Sequence, residues 1–202
     1  MTAIADRILR RARAGSARDA RVFTPKDFYD LGSRAAIDQA LSRLVKDGKM
    51  RRIGRGFYDI PQKNPMLGGP AAPDVDAIAD AIARRDGVTI VPNPLVSANR
   101  LGLTTAVSSK NDYLTDGPSR TIDLDGRKLR LRHAGPKLMA LKDKPAGDVV
   151  RALHWLGRDM AGDDDIVRKL RRKLPPKVKD DLAKARPAMT AWTADIAGRI
   201  AA

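Results

Sequence analysis

The chain has 202 residues, with 39 Lys and Arg against 24 acidic residues, a formal charge of +15, 43% hydrophobic residues and no cysteine. That length holds one large domain or two small ones, and the apolar fraction supports a buried core. The missing cysteines exclude disulfides and thiolate metal sites, and charges interrupt every apolar run well short of a membrane span.

The first residues, MTAIADRILRRARAG, read as an amphipathic helix without the apolar stretch or cleavage site of a secretory signal, so a cytoplasmic protein is expected. A charge excess this large points to a polyanionic partner, because binding neutralises phosphates and releases counterions. Solubility alone would scatter the charge, yet about half of the excess lies in the first 62 residues. Every acidic residue is aspartate. No glutamate is therefore available as a base, a metal ligand or the partner in a Glu capping box.

In chain order, residues 3–14 place Ile4, Ile8, Leu9 and Ala12 on one helical face with arginines opposite. A loop spans 15–22. Thr24 then reads as an N-cap with Pro25 at the first helical position, opening a short helix that stops at Gly32. Ser33 caps the next helix, over 33–47, with Ile37, Ala40, Leu41, Leu44 and Val45 at helical spacing. Met50–Ile53 and Phe57–Ile60 form a hairpin through Gly54-Arg55-Gly56, and Pro61 stops it. Residues 61–73, PQKNPMLGGPAAP, are the best linker candidate.

Asp74 opens a helix with Val75, Ile78, Ala79 and Ile82 on its apolar face. GVTIV is a short strand, 94–101 a helix, and NDYLTDG a strand. RTIDLDGRKLRLRH alternates around Asp125-Gly126, which predicts a two-residue turn pairing Ile122 with Leu129 and Asp123 with Lys128. Leu129, Leu131 and His133 share its inner face; Lys128, Arg130 and Arg132 share the outer one. Helices are expected over 136–142 and 145–160, the latter burying Val149, Leu153 and Leu156 around Trp155. Asp163–Asp165 start another helix, LPP breaks it, and residues 176–201 close with one or two more.

Three helices followed by a two-stranded hairpin is the order of a winged helix-turn-helix. The fold class expected is α+β: this domain over 1–62, a linker over 63–73, and a mixed domain over 74–202 with a helical tail from about 161. The outer face of the helix at 33–47 carries Arg34, Ala35, Asp38, Gln39, Ser42, Arg43 and Lys46. Arginine can fork onto guanine and glutamine onto adenine, so Arg34 and Gln39 are base-reading candidates; Arg43 and Lys46 suit phosphate. The capped turn at Thr24, Lys26 and Asp27, with Ser33 beyond it, offers backbone N–H groups to a phosphate. In the wing, Arg55 can enter a minor groove, flanked by Arg51 and Arg52. A basic wing with no aromatic at its tip favours duplex over single strands.

No catalytic constellation stands out, so the chain does not read as an enzyme, and no cofactor or metal is expected. His133 reads as a part-buried strand residue and His154 as a helix-surface one. Serines 97, 108, 109 and 119 lack a nucleophile-elbow context. Asp112 and Asp116 could hold Mg²⁺, which would make a nucleic-acid enzyme, but turn-forming Asp-Gly is the better account.

FTPKDFYDLGSRAAIDQALSRLVKDGKMRRIGRGFYDIP resembles the N-terminal domain of the AbiEi family, antitoxins of type IV abortive-infection toxin–antitoxin systems. LGLTTAVSSKNDYLTDGPSRTIDLDGRKLRLRHAGPKLMAL is similar to the second domain of AbiEi-like proteins. The resemblance covers about residues 1–160, and its more specific piece is GSRAAIDQALSRLVKDGKMRRIGRGFYDIP. It implies a cytoplasmic phage-defence protein with two roles. One is to bind inverted repeats of double-stranded DNA in its own promoter and repress the operon. The other is to counteract a cognate nucleotidyltransferase-like toxin, directly or indirectly. The resemblance places DNA contacts on the helix at 33–47 and the wing at 51–55. Lys128, Arg130 and Arg132 are a candidate partner surface. The alternative is a stand-alone winged-helix regulator whose C-terminal domain senses a ligand or partner; no membrane is expected among the partners.

Overall fold

The computed structural model describes residues 3–16, 21–62, 68–108, 111–124 and 126–202. The protein is mixed α+β with two sheets and two compact units, residues 1–88 with 122–129, and residues 89–121 with 130–202.

The first unit grows from short apolar patterns fixed by caps. Helix α1 (Ala3–Ser16) buries Ala5, Ile8, Leu9 and Ala12. A 3-10 helix covers Pro25–Leu31, and the chain then enters α2 (Arg34–Lys46). The Asp27 carboxylate accepts the Thr24 backbone N–H at 2.7 Å and its hydroxyl at 3.1 Å, so aspartate does at this turn what a capping glutamate does elsewhere. The Ser33 hydroxyl accepts the Ala36 N–H at 3.4 Å. Ile8, Phe28, Ile37, Leu41 and Leu44, all fully buried, fill the space between these helices. Arg11 fastens α1 to the 3-10 helix through both oxygens of Asp30, at 2.6 and 2.7 Å.

Strands β1 (Val22–Phe23), β2 (Arg51–Gly54) and β3 (Phe57–Asp59) form an antiparallel sheet in the order β1-β3-β2. Arg51 faces Asp59 and Arg52 faces Tyr58, and the register shifts between Arg52 and Gly54. Gly56 turns at φ +78°, a conformation glycine adopts freely.

The boundary between units differs from the expected linker at 63–73, of which 63–67 lies outside the described residues. Helix α3 (Val75–Asp86) groups with the first unit. Its last turn is tied down there: Arg84 Nη2 donates to the Val22 carbonyl at 2.8 Å and Arg84 Nε lies 3.6 Å from Asp27. The Lys26 ammonium donates to the Arg85 carbonyl at 3.0 Å. A Pro/Gly-rich composition reports that a segment lacks regular structure, not which unit the next helix joins.

The second unit holds β4 (Ile90–Pro92), α4 (Pro94–Arg100) and β5 (Asn111–Thr115), and it shares β6 (Arg120–Leu124) and β7 (Arg127–His133) with the first. The strand order is β4-β5-β7-β6. The far end of the β6–β7 hairpin, 122–129, belongs to the first unit. Asp125 lies outside the described residues, and so does the expected Asp-Gly turn. Leu129 and Leu131 are buried as the alternation predicts, but His133 is exposed, its Nδ1 3.0 Å from the Gly117 carbonyl.

Residues 136–142 form turns instead of the expected helix. Leu141, at φ +56°, takes a left-handed conformation that ends any helical run. Helices α5 (Ala146–Ala161), α6 (Asp164–Lys173), α7 (Pro176–Ala185) and α8 (Ala191–Ala201) share one apolar cluster, so the C-terminal residues are part of this unit's core rather than a tail. Trp155 is 38% exposed while the neighbouring His154 ring packs edge-on to Trp192, the reverse of the expected arrangement. The chain kinks at Gly157 inside α5.

Candidate nucleic-acid interface

The amphipathic pattern of α2 turns its apolar stripe to the core and leaves Arg34, Ala35, Asp38, Gln39, Ser42, Arg43 and Lys46 exposed. Arg34 is 79% exposed and lies 3.7 Å from Asp38, one turn away, a weak surface pair. The exposed polar face is continuous from the first turn to the last.

The β2–β3 turn and the 3-10 helix meet the start of α2 at a cleft of about 400 Å³. Lys26, Arg34, Arg55 and Arg85 line it together with Tyr29. No carboxylate is among its described lining residues. Arg34 and Arg85 each have one carboxylate close by, Asp38 and Asp86, so the charge of the four cations is only partly offset, and a polyanion relieves the remaining repulsion. Tyr29, 43% exposed, puts a hydrogen-bonding phenol at the rim.

Three candidates from the sequence take different places. Thr24 is 1% exposed, because its hydroxyl and N–H are turned into the Asp27 cap. Arg51 is committed to the fold: its Nε and Nη2 grip Asp59, and its Nη1 donates to the Ala71 carbonyl at 2.8 Å. Consecutive strand residues point to opposite faces, so with Arg51 turned inward it is Arg52 that emerges on the outside. Burial pushes the Tyr58 hydroxyl up, against the pull of Arg52. Ser33 is exposed, with its hydroxyl used in the helix cap. Arg85 was hidden from sequence reasoning, since it follows the linker-like stretch and nothing local marks α3 as a partner of the hairpin.

Lys128, Arg130 and Arg132 are all exposed, alternating with Leu129 and Leu131 on β7. Lys128 belongs to the first unit, Arg130 and Arg132 to the second. A further basic cleft, about 430 Å³, lies on α6. Its cations are largely committed: Arg168 pairs with Asp165, and Lys169 donates to the Gly102 carbonyl.

Asp116 is held down to about 2, first by the Lys142 ammonium at 2.7 Å and then by the Thr89 N–H. It is occupied as an ion-pair partner, while Asp112 Oδ1 is buried with no hydrogen-bond partner among the described residues. Among the described residues no group of three or more His, Cys, Asp or Glu could hold a metal ion, and no helix is long and apolar enough to cross a membrane.

These features describe a mixed α+β protein with a strongly basic cleft in its first unit. The chain belongs to DUF6088, a family of unknown function whose profile matches residues 6–182. It is also similar to RV2827C protein from Mycobacterium tuberculosis, known from a crystal structure, with 15% identity over 98% of this chain and 82% of that one and a TM-score of 0.44. No curated protein matches the chain.

Proposed function

We propose that the protein is a duplex-DNA-binding regulator that represses its own promoter as the antitoxin of a type IV toxin–antitoxin pair. The cleft of Lys26, Arg34, Arg55 and Arg85 carries the DNA-binding part. It brings the first turn of α2 and the tip of the β2–β3 hairpin to one cavity, as a winged helix-turn-helix does when a helix enters the major groove and a wing follows the backbone. The order α1, 3-10 helix, α2, β2, β3, with β1 added to the sheet, supports the same reading.

In this reading the exposed Arg34 and Gln39 read base edges, while Arg43, Lys46, Arg52 and Arg55 meet phosphates. The antitoxin role rests on the resemblance to AbiEi proteins, with Arg130 and Arg132 as candidate contacts for a cognate toxin.

The test is a titration of the full chain on the DNA upstream of its reading frame and on a duplex of scrambled sequence. About six phosphate contacts imply an affinity loss on the order of a thousandfold between about 50 and 200 mM salt. Gln39→Ala and Arg34→Ala are expected to cost roughly 1–3 kcal/mol on the upstream site and little on the scrambled duplex. Arg55→Ala is expected to weaken both. An Arg55→Ala protein that binds both duplexes like wild type, with an unchanged salt dependence, would remove the wing from the interface. Co-expression with a toxin-like neighbouring reading frame separates antitoxin from stand-alone regulator: rescue of growth is the expected result.

A further inference from the structure

We infer that α3, through Arg85, is a third arm of the DNA-binding surface, one that contacts the phosphate backbone beside the hairpin turn. This rests on the duplex-binding reading of the cleft and extends it to an element outside the helix and wing.

Arg85 is placed with unusual firmness for a surface arginine. Its guanidinium lies 4.6 Å from the centre of the Phe57 ring, and Phe57 directly follows the turn glycine Gly56. Asp86 holds it in a fork, Nε to Oδ1 at 2.8 Å and Nη2 to Oδ2 at 3.1 Å. Two of its five N–H donors are used there, and three have no acceptor among the described residues. The helix that carries it cannot swing away, because Arg84 and the Lys26–Arg85 carbonyl bond clamp its last turn onto β1 and the 3-10 helix. Arg85 lines the same cleft as Arg34 and Arg55.

A cation stacked on an aromatic face and braced by a carboxylate has already lost its rotamer freedom before any ligand arrives, so a phosphate contact costs little ordering. Bidentate geometry makes arginine, more than lysine, suited to phosphate. The partial neutralisation by Asp86 makes Arg85 one contact among several, not the anchor.

The experiment measures binding of the full chain to a fluorescent random-sequence duplex of about 30 base pairs, across about 50–200 mM KCl, by anisotropy. Wild type, Arg85→Gln, Arg85→Lys and Lys179→Ala are compared; the last removes one charge from α7, in the other unit. Arg85→Gln is expected to weaken binding at low salt and to lower the log–log salt slope by about one, which makes the affinity loss across that range about threefold smaller. Arg85→Lys is expected to fall between Arg85→Gln and wild type, and Lys179→Ala to match wild type. A role in packing alone would lower the melting temperature of Arg85→Gln and leave the slope untouched, and that outcome overturns the inference while leaving the cleft's DNA reading standing. A wild-type protein with no salt-dependent affinity for duplex would sink both. If Lys179→Ala flattens the slope as much as Arg85→Gln does, bulk charge explains the effect and the arm is refuted.

Discussion

Arg51 and Arg52 stand side by side and do different work. One is locked to Asp59 and the Ala71 carbonyl, the other is exposed. Arg151 is a stronger case of an inward arginine. It is 3% exposed, donates to Asp148 at 2.9 Å and to the Ser97 hydroxyl at 3.3 Å, and its buried Nη1 has no hydrogen-bond partner among the described residues. Burial pulls its pKa down, opposed by the bond to Asp148. Removing one member of such a pair strands a buried charge. Asp148→Ala is therefore expected to cost about 3 kcal/mol, read as a lower urea midpoint, whereas Arg151→Met, which removes the charge itself, costs less. His154 offers a pH test. Burial depresses its pKa, and its buried Nε2 has no hydrogen-bond partner among the described residues. The unfolded side chain takes up a proton near pH 6.5 and the folded one only below that, so stability declines as pH falls beneath about 6.5 and levels off once the folded site titrates too. Urea unfolding at a series of pH values should show that decline in wild type and a flatter profile in His154→Gln.

Among elements, helix starts were the most legible in the sequence because capping is local chemistry. Ser33, Asp74 and Asp163 each accept an N–H of the first turn, as residue type and position implied. Facing is less legible. His133 continues the Leu129–Leu131 face by count yet is exposed, as the last residue of its strand. The turns over 136–142 answer to a tertiary demand. A Cβ on Gly147 would lie 2.3 Å from the Leu141 carbonyl oxygen and 2.9 Å from Arg151 Nη1. The start of α5 thus needs glycine where the preceding turn doubles back. Gly147→Ala is expected to destabilise by roughly 1–3 kcal/mol through overpacking, measurable by thermal melting. Gly56→Ala meets no atom and strains only the backbone at φ +78°, so it should cost less stability than Gly147→Ala.

For the whole molecule, composition pointed to a polyanionic partner and periodicity to a mixed α+β chain, but neither could assign α3 or the hairpin end to the first unit. Those assignments depend on contacts between residues far apart in sequence. At Gly54, a Cβ would approach the Asp123 carbonyl to 3.1 Å and the Leu124 side chain to 3.3 Å, and Leu124 is itself buried. A fragment of residues 1–88 lacks that cover. It is expected to unfold at lower urea than the same fragment supplied with the 122–129 segment, by about 2 kcal/mol, the worth of one buried leucine.

The chain passes between its units after Val88, after Thr121 and after Leu129. A polypeptide routed this way has no seam. A single cut after Val88 leaves the 122–129 stretch of the first unit on the other piece, and recombination that trades heads between genes would have to carry that eight-residue insert along with the first 88 positions.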